Sequence, residues 1–203
     1  MKIIPFFQRG YESNSYLVVD GKHAALIDAG VSEDNLLDAL KAEEAELSYI
    51  LLTHGHFDHT LSADALRKQT GARLCIHQLD DEMLKDAQKS ALALFFGKYD
   101  TVGESDLQLL DGDEIELESV KLKVIHTPGH SKGSVCYLTG DVMFTGDTLF
   151  DGGYGRFDLH GGDPKALGSS LYSLSSFDKD ITVYPGHGGA ARLESALNKI
   201  NII

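Results

Sequence analysis

The run Thr53-His54-Gly55-His56-Phe57-Asp58-His59 places three histidines and one carboxylate within six positions. His54 and His56 are two apart, so in an extended segment their rings point to the same side. That brings two imidazoles onto one cation. Asp58 and His59 follow where the chain is expected to turn into a helix, and they can address a second cation beside the first. Zinc takes imidazole nitrogen and carboxylate oxygen readily, while iron and manganese accept the same donors. Two divalent ions are therefore expected, zinc first.

Three later residues complete the set. His130 closes His126-Thr127-Pro128-Gly129-His130, Asp147 lies in Phe144-Thr145-Gly146-Asp147-Thr148, and His187 lies in Tyr184-Pro185-Gly186-His187-Gly188. Each follows an expected strand closely and has glycine beside it. In open α/β architectures sites gather outside the carboxyl ends of strands, so these loops are expected to converge on one cleft. The remaining histidines are weaker candidates. His23 reads as solvated, His77 and His160 as surface residues, and His126 as a hydrogen-bonded neighbour of the site rather than a ligand.

The elements that must hold these residues are partly visible in the pattern. Tyr16–Asp20 and Ala24–Asp28 are apolar runs about a turn at Asp20-Gly21-Lys22, which predicts a hairpin. A helix follows, with Ser32 as N-cap and Leu36, Leu37 and Leu40 on one side. Tyr49–Thr53 predicts a strand running straight into His54. Thr60–Gln69 predicts a helix closed by Gly71, and Arg73–Ile76 another strand. Strands are also expected over Glu114–Leu117, Lys121–Ile125, Val135–Leu138, Val142–Thr145 and Ile181–Tyr184. Asp163-Pro164 opens a helix, with Asp as cap and Pro at the first helical position. Leu193, Ala196, Leu197 and Ile200 mark a closing helix. Residues 78–105 read as an elaboration near the site, with Phe95, Phe96 and Tyr99 read as a lid or as core, core first. This mixed order predicts two sheets packed together with helices outside, in a single domain over 1–203 with no linker.

The totals narrow the partners. The 203 residues carry a net charge of −13, so a phosphate backbone would be repelled and nucleic acid is not an expected partner. Bound cations would still make the cleft locally positive, so an anionic small molecule remains allowed. Cys75 and Cys136 sit in apolar runs without C-x-x-C spacing and read as small buried hydrophobes. Met1–Gly10 turns polar by Gln8 and is not expected to be a signal peptide. No apolar run approaches the roughly 20 residues that span a bilayer, so no membrane partner and a cytoplasmic location are expected.

These motifs, in this order and over nearly the whole chain, resemble the metallo-β-lactamase superfamily, whose mark is the H-x-H-x-D-H run. Asn14-Ser15-Tyr16-Leu17-Val18 near the start belongs to the same likeness. Within the superfamily the run Gly146-Asp147-Thr148-Leu149-Phe150, leading to Gly155-Arg156-Phe157-Asp158, is similar to the glyoxalase II group and its short bacterial relatives. The resemblance implies an αββα four-layer sandwich of two mixed β-sheets flanked by helices. It also implies that His54, His56 and His130 bind one metal, that Asp58, His59 and His187 bind the other, and that Asp147 bridges them. Sixteen residues follow His187, enough for one helix. The helical extension that binds glutathione in glyoxalase II is therefore expected to be absent or built differently.

The expected chemistry is attack of a metal-bound hydroxide on the carbonyl of a small thioester or ester. Asp58 would orient the nucleophile or accept its proton. Tyr154 and Arg156, in the Gly-rich loop 151–162, are the candidate substrate residues, although Arg156 sits where Asp158 can pair with it and buttress the loop. The rival readings are an iron-dependent persulfide dioxygenase on the same fold and a lactonase.

Overall fold

The computed structural model describes residues 1–7 and 10–201. Gln8, where the N-terminal segment was read as turning polar, lies outside them. The chain forms two six-stranded sheets. The first holds β1 (Lys2–Phe6), β2 (Ser15–Asp20), β3 (His23–Ile27), β4 (Glu46–Leu51), β5 (Arg73–His77) and β6 (Leu107–Leu109), in that spatial order. Pairing is antiparallel from β1 to β3 and parallel from β3 to β6. The second holds β7 (Glu114–Glu116), β8 (Lys121–His126), β9 (Val135–Thr139), β10 (Val142–Gly146), β11 (Thr182–Pro185) and β12 (Ala191–Arg192). There only β10 and β11 run parallel.

Side-chain alternation explains the layering. In β2, Leu17 and Val19 face one way, toward α1 (Glu33–Ala42) and α2 (Ala63–Thr70), where they meet Leu36, Leu40 and Leu66. Tyr16 and Val18 face the other way and meet Val124, Tyr137 and Phe144 of the second sheet. Period-two patterning with both faces apolar is what a strand between two layers requires. In β9 and β10, Cys136 and Met143 face outward onto α4 (Pro164–Leu174) and α5 (Leu193–Lys199). The result is the helix, sheet, sheet, helix sandwich. A short helix, α3 (Leu92–Phe96), follows a 3-10 turn over Asp81–Lys85 and lies inside the 78–105 stretch.

Local signals account for some of the boundaries. The Asp163 side chain accepts from the Lys165 and Ala166 amides at 2.8 and 3.1 Å, capping α4 as its sequence indicates. Gly71 closes α2 at φ +76°. Ser32 precedes α1 but makes no side-chain cap. α5 is seven residues long, too short to persist alone; burial of Leu193, Ala196 and Leu197 holds it. Three strands were not foreseen. β1 contains Pro5, which an edge strand tolerates because no ladder donor is lost on its open side. β6 and β12 are three and two residues long, too short for alternation to show.

Two expectations fail. Phe95, Phe96 and Tyr99 are not core: they are exposed. His77 is not on the surface: it is buried and stacks on His126, with ring centroids 4.2 Å apart. Among the described residues no helix is long and apolar enough to cross a membrane.

Candidate metal centre

The site lies where strands end. β3 leads into Asp28, β4 into Thr53 and His54, β8 into His130, β10 into Asp147 and β11 into His187. β8, β10 and β11 run in one direction, because β9 is antiparallel to both β8 and β10. The two sheets are tied at this edge by Val135 N–H donating to Thr53 O at 2.9 Å and Asn14 N–H donating to Gly186 O at 2.7 Å. Loops from both sheets therefore meet over one end of the sandwich. After His56 the chain makes a 3-10 turn over Phe57–His59, which brings the His59 ring to 4.1 Å from that of His54, centroid to centroid.

All seven candidates come together there. Donor atoms of His54, His56 and His130 lie within 4.8 Å of one another, as do those of Asp58, His59 and His187. A third group, His54, His59 and Asp147, overlaps both. Asp147 stands between the clusters. Its Oδ1 is 3.3 Å from His59 Nε2 and 3.7 Å from His187 Nε2, and its Oδ2 is 3.6 Å from His130 Nε2. Asp58 Oδ2 is 3.2 Å from His187 Nε2.

Partners behind the rings fix which nitrogens face inward. The Thr53 hydroxyl donates to Asp28 at 2.8 Å and so accepts from His54 Nδ1–H at 3.1 Å, leaving His54 Nε2 as a lone pair. His130 Nδ1–H donates to Arg156 O at 2.6 Å, which leaves His130 Nε2 in the same state. Those two lone pairs stand 3.1 Å apart, and His56 Nδ1 is 2.8 Å from His130 Nε2. Facing lone pairs, as on His54 and His130, repel unless a cation sits between them. His59 Nε2 and Asp147 Oδ1 are buried without a hydrogen bond of acceptable geometry. Orphaned buried polar atoms of this kind are costly, and a cation would satisfy them. The residues present therefore fit a divalent metal, and the mixed nitrogen and oxygen donor set is one that zinc, iron and manganese all accept.

Electrostatics agree. Burial, reinforced by the neighbouring rings, holds His54 well below the ordinary histidine value and His56 down to about 3, so both offer lone pairs at neutral pH. Burial pushes the Asp58 carboxyl up, but His59 and the His187 hydrogen bond outweigh it and keep it ionised. Asp147 is also held well below the ordinary value: burial raises it, and His59, His130 and His187 overcome that. Burial lowers His59, yet Asp28, Asp58 and Asp147 raise it well above its usual value. A proton there marks a spot that attracts positive charge.

The centre forms the floor of a cavity of about 230 Å³ whose walls include Phe57, Phe95, Phe96, Arg156 and Leu159. Arg156 lines this cleft, with Nε and Nη2 on the Asp158 carboxylate at 2.7 and 2.8 Å. Tyr154 is exposed and is not among the residues lining it. His160 pairs with Glu82 at 3.1 Å, and His126 Nε2 contacts Lys132 O at 2.9 Å. Sequence reasoning missed Asp28, Thr53 and Asp80. Their only sequence signal is a polar residue ending or closely following an apolar strand.

Comparison with known proteins places this geometry in context. A model of the metallo-beta-lactamase superfamily matches residues 9–187. The hydroxyacylglutathione hydrolase GloC of Haemophilus influenzae is 30% identical over 193 residues, covering 93% of this chain and 90% of GloC. The structure resembles the BLEG-1 B3 metallo-beta-lactamase at a TM-score of 0.89 and 30% identity, over 97% of each chain. It also resembles TTHA1623 in a di-iron-bound form at a TM-score of 0.82 and 34% identity, over 94% of this chain and 95% of that one. With the paired clusters at the strand ends and the four-layer sandwich beneath them, these matches mean that the chain belongs to the metallo-beta-lactamase superfamily.

Proposed function

We propose that the protein is a two-metal hydrolase of small thioesters or esters, with hydroxyacyl thioesters of the glyoxalase II type as the reference substrates. His54, His56 and His130 would hold one ion, Asp58, His59 and His187 the other, with Asp147 between them. The observation that carries this reading is the position of Asp147, with one oxygen toward His59 and His187 and the other toward His130. The GloC and di-iron TTHA1623 likenesses support it; the second leaves iron open beside zinc.

When bound, the ions would acidify a water and polarise the substrate carbonyl. The chain's own residues do the rest. Asp58 is ionised and borders the cleft, so its carboxylate orients the attacking water and takes its proton. Arg156 O and the Thr53 hydroxyl fix the His130 and His54 tautomers. Water oxygen joins the carbonyl carbon, the C–S or C–O bond breaks, and the thiol or alcohol leaves with the proton. Both cysteines are buried, and neither lines the cleft as a nucleophile.

The test is an activity screen of metal-replete protein across thioesters, lactones and a persulfide, with oxygen uptake followed in parallel. Thioester hydrolysis without oxygen uptake is expected. Oxygen consumption on the persulfide with one iron per chain would replace this reading by the dioxygenase one.

A further inference from the structure

The wall of the cleft carries information about what enters it. Tyr11, Phe57 and Phe96 form a connected aromatic surface, with ring centroids 4.9 Å apart for Tyr11–Phe96 and 5.4 Å for Phe57–Phe96, and Phe95 joins it at 5.9 Å from Phe57. Phe95 and Phe96 belong to α3, a helix with no buried residue, and they are 49% and 45% exposed. Their apolar area is thus not spent on the core. Half-exposed aromatic rings grouped at a concave site are what an apolar ligand would cover. They border the same cavity as His56, Asp58 and His130, which places that ligand at the metal centre rather than on a remote face.

The side chains of the wall offer little to the opposite kind of ligand. Among the described lining residues Arg156 is the one Lys or Arg, and Asp158 already engages it through two hydrogen bonds. Its guanidinium carbon also lies 5.7 Å from the Phe95 ring centre, so it closes the aromatic wall instead of projecting a free charge. A thiol carrier bearing several carboxylates finds no unpaired cation on these side chains. The cavity, about 230 Å³, falls below the roughly 300 Å³ at which drug-sized pockets begin.

We propose that the substrate is a small, uncharged thioester or ester whose acyl arm is apolar and about the size of one aromatic ring, and that Phe95 and Phe96 select it. This rests on the hydrolase reading of the same site and adds the substrate class to it.

The experiment has two arms, both on metal-replete protein. The first compares kcat/KM for N-acetylcysteamine thioesters of phenylacetate and acetate, and for the glutathione thioester of phenylacetate. The phenylacetyl substrate is expected to exceed the acetyl one by at least about tenfold, with no gain from glutathione. Phe95→Ser with Phe96→Ser is expected to bring the phenylacetyl-to-acetyl ratio down to about one. The second arm is calorimetric binding of N-methylphenylacetamide against N-methylacetamide, which needs no turnover. Tighter binding of the aryl amide, lost in the double variant, is expected. Hydrolysis with equal rates for both acyl groups, or a preference for the glutathione carrier, overturns the inference and leaves the hydrolase intact. Aryl-selective binding without hydrolysis of any thioester or of the matching phenylacetate ester upholds the apolar cleft and sinks the hydrolase reading. Equal binding of the two amides overturns the inference whatever the turnover.

Discussion

Asp28 Oδ2 accepts a hydrogen bond from His59 Nδ1 at 2.7 Å, across 31 positions of chain. The same carboxylate receives the Thr53 amide and hydroxyl, both at 2.8 Å, so one buried acid orients two ring-bearing segments at once. Asp28 adopts φ +54°, a left-handed conformation that turns the chain sharply at the end of β3. Replacing it by Asn keeps the size but weakens the acceptor and removes the charge facing His59. Asp28→Asn is expected to lower metal affinity by about 10- to 100-fold while the fold persists. Competition against a graded chelator measures this; unchanged affinity would mean that His59 needs no such orientation.

Asp80 plays a comparable part between two loops. It accepts from Gly55 N–H at 3.1 Å, the Ser131 hydroxyl at 2.6 Å and Gly133 N–H at 2.6 Å, and so fastens the 54–59 segment to the 130–134 segment. Burial pushes its carboxyl above the ordinary value against those three bonds. Asp80→Ala strands three donors in a dry setting and is expected to cost about 3 kcal/mol of stability. Denaturant unfolding checks this, and a loss below about 1 kcal/mol would show that the donors find water instead.

Gly186 stands against the centre itself. A Cβ there would lie 2.4 Å from Asp147 Oδ1 and 2.6 Å from His59 Cε1. Gly186→Ala must therefore displace Asp147, His59 or the 184–188 loop. Metal affinity is expected to drop at least about tenfold, with hydrolysis falling alongside. Elemental analysis after dialysis reads the first effect directly.

The sequence made the site more legible than its supports. The seven donors stand in short runs of histidine, aspartate and glycine after apolar strands, and local spacing alone marks them. Their convergence in space follows from five strands ending at one edge, which the strand pattern foreshadowed. Asp28 and Asp80 carry no such mark, because their partners are 25 to 53 positions away and only folding introduces them. Phe95 and Phe96 were misread for a related reason. An apolar cluster looks the same in sequence whether it faces a core or a cleft. β1 was hidden by Pro5, and β6 and β12 by their brevity.

The two cysteines give a pH prediction. Burial raises Cys75 to about 12 and Cys136 to about 11. Both thiols stay protonated and shielded at pH 8, so a thiol reagent is expected to leave the native protein unmodified and to label both after denaturation. The unfolded thiols ionise near pH 8.5. Between that value and the folded ones the unfolded state binds fewer protons, so stability falls as pH rises. The fall should begin above about pH 9 and be shallower in Cys75→Ala. Rapid labelling of the native state at pH 8 would contradict the burial.

Anomalous diffraction from crystals of the metal-replete protein tests the central claim most directly. Two peaks are expected, one among His54, His56 and His130 and one among Asp58, His59 and His187, with the Asp147 carboxylate between them. A single peak, or density away from these side chains, would contradict the two-metal account.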